Sequence, residues 1–74
     1  MQIPLSKVEV YKTNVEDNDE AAALAASLLQ YHPDADISFD LEDCDKVMRV
    51  IGNIPAHYII KHMEDCGYDC AVME

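Results

Sequence analysis

Asp36-Ile37-Ser38-Phe39-Asp40-Leu41-Glu42 alternates strictly between polar and apolar side chains. In an extended chain that alternation puts Ile37, Phe39 and Leu41 on one side and Ser38 and Asp40 on the other, the pattern of a half-buried strand. Asp43-Cys44-Asp45 follows as a polar turn. Lys46 to Ile51 then resumes the extended pattern with Met48 and Val50 in phase. Residues 36–51 therefore predict a β-hairpin, closed off by Gly52-Asn53.

Upstream, His32-Pro33-Asp34 ends whatever precedes the hairpin, because proline cannot continue a helix and disfavours helical backbone just before it. The preceding stretch carries Ala21, Leu24, Ala25, Leu28 and Leu29 at spacings of three and four, one apolar face of a helix reaching about Tyr31. Asp17 and Glu20 have capping-box spacing at its start. Asn14 to Asp19 is a polar loop, and Lys7 to Thr13 alternates as a strand with Val8 and Val10 on one face. Downstream, Pro55 suits the first turn of a second helix with an Ala56, Ile59, Ile60 and Met63 stripe. Gly67 is a natural residue just past that helix's end, and Tyr68 to Met73 is a last strand with Cys70 and Val72 in phase.

The predicted order is β-α-β-β-α-β in a single domain spanning 1–74. Two strand–helix–strand halves with right-handed crossovers give an α+β, ferredoxin-like sandwich: a four-stranded antiparallel sheet with both helices on one face. On this reading the helices cover Val8/Val10, Ile37/Phe39/Leu41, Met48/Val50 and Cys70/Val72. The open face carries Glu9, Tyr11, Ser38, Asp40, Val47, Arg49 and Ile51.

Fifteen Asp/Glu stand against five Lys/Arg in 74 residues, a net charge of −10. Nucleic acid and anionic membrane both select a Lys/Arg footprint, so neither is an expected partner. Half the residues are hydrophobic, which sets the chain apart from a disordered acidic tail. No run approaches the ~20 apolar residues of a membrane span, and Met1 to Lys7 lacks the apolar run of a leader. Cys44, Cys66 and Cys70 make an odd count, which argues against a disulfide framework and for a cytoplasmic location.

Several segments together are similar to the heavy-metal-associated domain family of copper chaperones and metal-transporting ATPase modules. They are His32-Pro33-Asp34-Ala35 running into Ile37-Ser38-Phe39-Asp40-Leu41, and Met63-Glu64-Asp65-Cys66-Gly67-Tyr68. The resemblance covers about Lys7 to Met73 and implies the same fold. The family's Cys-x-x-Cys, which binds Cu(I) or another soft ion, falls at about Asn18 and Ala21, and its preceding Met near Glu16. On this resemblance the chain reads as a divergent member lacking that thiolate pair.

The expected topology gathers the first strand–helix loop, the hairpin turn and the second helix–strand loop at one end. That pole collects Glu16, Asp17, Asp19, Glu20, Glu42, Asp43, Asp45, Glu64, Asp65 and Asp69, ten of the 15 carboxylates. A single-sign field of this kind steers a basic partner, with Glu16, Asp17, Asp19, Asp43 and Asp45 as the expected contacts. The alternative is a metal-ion-binding or metal-trafficking protein. Cys44 and Cys66, with loop carboxylates and His62 one turn before Cys66, form a Zn²⁺-type donor set, and Asp17/Asn18/Asp19 a hard-ion set outside the EF-hand pattern. No cofactor is otherwise implied. Cys70, Met48 and Met63 read as core, Cys66 as packed at a helix end, and Cys44 as the exposed thiol. His32 and His57 fall toward the opposite end. No nucleophile–base order or phosphate-cradling glycine loop is present, so an enzyme is not expected. A second alternative is a small-molecule-sensing dimer, resting on Tyr11, Val47 and Ile51 of the open face; otherwise the chain is expected to be a monomer or weak dimer.

Overall fold

The computed structural model describes residues 7–73; the reading of Met1 to Ser6 lies outside them. The elements run β1 (Lys7–Thr13), α1 (Asn18–Tyr31), β2 (Asp36–Asp40), β3 (Val47–Gly52), α2 (Ala56–Asp65) and β4 (Cys70–Val72). The four strands form one antiparallel sheet in the order β2-β3-β1-β4. This α+β arrangement is compatible with a ferredoxin-like fold.

Local chemistry explains most boundaries. Asp17 caps α1, its carboxylate accepting the Asp19 backbone N–H at 2.9 Å. Glu20, at capping-box spacing, faces the Tyr68 hydroxyl instead of closing the box. Pro55 occupies the N-cap of α2 rather than its first turn. At the other end Gly67 donates to Glu64 O and Tyr68 to Met63 O, at 2.9 and 3.0 Å, a Schellman ending with Gly67 at φ +94°. The second strand stops at Asp40 rather than Glu42. Asp40 and Asp43 side chains capture the backbone N–H groups of Glu42 and Asp45, which opens the turn to residues 41–46.

One core lies between the helices and one side of the sheet. Leu24 and Leu28 of α1 and Ile59 and Met63 of α2 pack with Tyr11, Met48, Val50 and Cys70; Ile37, Phe39 and Val72 border them. Leu28, Met48, Ile59 and Met63 are fully buried. The ladder pairs Phe39 and Tyr11 with Met48, Ile37 and Glu9 with Val50, and Tyr11 with Val72, which fixes these residues on the helix side.

That register inverts the expected phase of β1. Tyr11, expected on the open face, is fully buried, whereas Val8, expected in the core, is 58% exposed. Period-two alternation fixes only which residues share a side; the larger apolar area decides which side turns inward. A tyrosine buries roughly 150–250 Å². Val15, two residues beyond Thr13 and also fully buried, extends the same inward series. Together Tyr11 and Val15 outweigh Val8 and Val10. The inversion also removes Tyr11 from the support for a small-molecule site on the open face, and Val47, 7% exposed, offers that face little surface, which leaves half-buried Ile51.

Candidate functional site: an acidic pole of three loops

Thr13 is the staple. Its N–H donates to Asp45 O at 3.1 Å, its hydroxyl donates to Lys46 O at 2.6 Å, and the same oxygen accepts Val15 N–H at 3.2 Å. These bonds hold the β1–α1 loop against the hairpin turn. Asn14 holds the third loop: its side-chain carbonyl accepts Asp69 N–H at 2.9 Å, and its amide nitrogen is 3.4 Å from the Asp69 carboxylate. Buried Val15 anchors the loop from beneath. The three loops therefore meet at one end, as the strand order requires.

Carboxylates cover this end. Glu16, Asp17, Asp19, Glu20, Glu42, Asp43, Glu64, Asp65 and Asp69 are exposed, and Asp45 is half-buried. Among the described residues the one ion pair is Lys61–Asp65, at 3.6 Å and on the surface. Lys46 directs its ammonium to the Leu41 carbonyl at 3.1 Å. Little of the negative charge is thus neutralised locally. Tyr68 stands between the start of α1 and the end of α2. Its hydroxyl is pushed above the ordinary tyrosine range by partial burial, then by Glu20, with Cys66 and Asp17 adding. A groove of about 330 Å³ beside the pole is lined by Lys12, Thr13, Asn14, Glu64, Asp69, Cys70 and Ala71.

In the hairpin turn the ligand atoms of Asp43, Cys44 and Asp45 lie within 4.8 Å of one another. Cys66 is not part of that group. In the β2-β3-β1-β4 order the hairpin and the α2–β4 loop flank β1 from opposite sides, with neighbouring strands about 4.8 Å apart. All three cysteines are free. Cys66 is exposed rather than packed, because the Schellman turn leaves it outside the core. Cys70 is buried, and burial, followed by Glu64, pushes its thiol up to about 12. His62 does not join Cys66: its Nε2 lies 2.9 Å from Ser27 Oγ, and its ring meets Tyr31 edge-on at 5.5 Å.

Away from the pole, Tyr31, His32, Tyr58, Lys61, His62 and Asp65 line a groove of about 410 Å³ along the helices. Tyr58 and His62 share a helix face at i, i+4 spacing, the signal that was available in sequence. Its meeting with the end of α1 was not available there.

Fold and site together define a small α+β domain with a single-sign acidic end assembled from three hydrogen-bonded loops. Comparison with protein-family models, with curated proteins and with solved structures finds no match. No helix of the described chain is long and apolar enough to cross a membrane.

Proposed function

We propose that this chain is a non-enzymatic interaction or regulatory module whose acidic pole docks a basic protein surface. The observation that carries the reading is the joining of three carboxylate-bearing loops through Thr13 and Asn14. Loops so tied hold their charges in a fixed pattern. A fixed pattern gives orientation as well as attraction, whereas charges on independent loops give attraction alone. The fold reading that accompanies it is a ferredoxin-like sandwich related to heavy-metal-associated domains without their thiolate pair. Three free cysteines suit a reducing cytoplasm.

The test is amide-shift titration with a Lys/Arg-rich peptide. Shifts concentrated at 14–20, 42–46 and 64–69, and lost on reversing Asp17, Asp19, Asp43 and Asp45 to Lys, support the reading. Equal shifts in that variant end it.

The Asp43–Cys44–Asp45 cluster favours a second reading, metal-ion binding at the hairpin turn. One thiolate and two carboxylates suit Zn²⁺, with Cys66 outside the ligand set. Zn²⁺ at stoichiometric amounts is then expected to shift amides 42–46, and Cys44→Ser to erase the response. Absence of a response in the native chain removes this reading.

A further inference from the structure

The groove along the helices holds two of the three large hydrophobic side chains that the described residues leave exposed, Tyr31 at 69% and Tyr58 at 55%. His32 and His62 line it as well, so four of its six lining residues carry aromatic rings; Lys61 and Asp65 complete it. Its volume of about 410 Å³ lies within the roughly 300–1,000 Å³ of small-molecule sites. Both tyrosines are braced by a histidine. His62 meets Tyr31 edge-on and is itself held by Ser27 Oγ, 2.9 Å from its Nε2, while His57 lies against Tyr58 with ring centroids 4.4 Å apart.

Charge decides what such a groove takes. Lys61 is its one lysine or arginine, and it stands 3.6 Å from Asp65 with both side chains mostly in water. An exposed pair of this kind holds weakly. The carbonyl end of α1 points the helix dipole's negative pole this way, and no basic residue lies in its last turn. The chain as a whole carries −10. An anion therefore meets a negative helix end, a carboxylate and a repelling chain; a cation is attracted by all three. A quaternary ammonium ion has no N–H to satisfy, so aromatic rings and one carboxylate suffice to hold it.

We propose that this groove binds a small quaternary ammonium compound, its trimethylammonium head against Tyr31 and Tyr58 and beside Asp65, in place of the Lys61 ammonium. The tyrosine rings attract the ion through their quadrupoles, and Asp65 supplies a full opposite charge. Lys61, already mostly in water, swings aside as its pair with Asp65 opens. The groove is open to solvent along the helices, so the dissociation constant is on the order of 1 mM.

Titration of the intact chain with choline at constant ionic strength, followed by amide and tyrosine-ring shifts, tests this. The expected result is saturating shifts at residues 31–32 and 57–65 that sodium chloride does not produce. The uncharged isostere of choline, with carbon in place of nitrogen, is expected to bind at least about fivefold more weakly. Tyr31→Leu and Tyr58→Leu, at exposed positions outside the core, each weaken choline binding about two- to fivefold, and Asp65→Asn does the same. Lys61→Gln tightens it about twofold, because the competing ammonium is gone. Equal binding of the uncharged isostere, tighter binding of benzoate, weaker binding in Lys61→Gln, or no saturation up to about 20 mM choline overturns the proposal. The groove and the acidic pole are tested separately: reversing Asp17, Asp19, Asp43 and Asp45 is expected to leave the choline affinity within about twofold.

Discussion

Tyr11→Phe is expected to make this protein more stable. The Tyr11 ring is fully buried on the helix side of β1, and its hydroxyl has no hydrogen-bond partner. Burial foremost, then Glu9 and Cys70, holds the phenol at about 12. A buried polar group left without a partner costs about 1–3 kcal/mol. Phenylalanine keeps the ring and its packing while removing that group, so the gain is about 1–2 kcal/mol after small losses at the vacated position. For a domain of this size each kcal/mol moves Tm by roughly 4–8 °C. Thermal and urea unfolding, followed by far-UV circular dichroism, measure both quantities. Tyr11→Ala, by contrast, is expected to cost about 3–5 kcal/mol as an aromatic deletion from the core. Val8→Ala stays within about 0.5 kcal/mol. A loss of more than about 0.5 kcal/mol in Tyr11→Phe would refute the reasoning, because it would mean that the hydroxyl is bonded in the native state. A costly Val8→Ala would refute the inward phase of β1.

Three further outcomes are expected. Asp17→Ala removes the carboxylate that accepts Asp19 N–H and lowers stability by about 1 kcal/mol, read as a shift in the urea midpoint. Gly67→Ala, at φ +94° with open space around the added carbon, costs about 1 kcal/mol through backbone strain alone, so Gly67→Asn is the milder change. Burial holds Cys70 at about 12 against 9.0 and Tyr11 at about 12 against 10.0, so the native state favours both neutral. Their stabilisation is full below pH about 9 and is lost as pH rises toward about 12; Cys70→Ala flattens that decline in an alkaline urea series.

The hairpin, both helices and the last strand were legible because each combines a period with punctuation. Pro33, Pro55 and Gly67 mark ends by backbone chemistry that context rarely overrides. The facing of β1 was not legible from its own seven residues, since alternation is symmetric between the two sides. Only the inward series through Tyr11, Thr13 and Val15 breaks that symmetry, and Val15 sits in what reads as a polar loop. The meeting of the three loops followed from the element order. The bonds that tie them did not, because Thr13 and Asn14 act across 33 and 55 residues. The placement of His62 away from Cys66 has a related reason. Sequence proximity on α2 said nothing of Ser27 on α1, which holds His62 Nε2.

The central claim is that location of charge, not its total, makes the docking surface. The most direct measurement compares two variants of equal net charge, Asp43→Lys/Asp45→Lys at the pole and Asp34→Lys/Asp36→Lys away from it, in peptide-binding titrations at fixed salt. The account predicts a loss of affinity of at least tenfold in the first variant and less than about twofold in the second. Equal losses in both would contradict it.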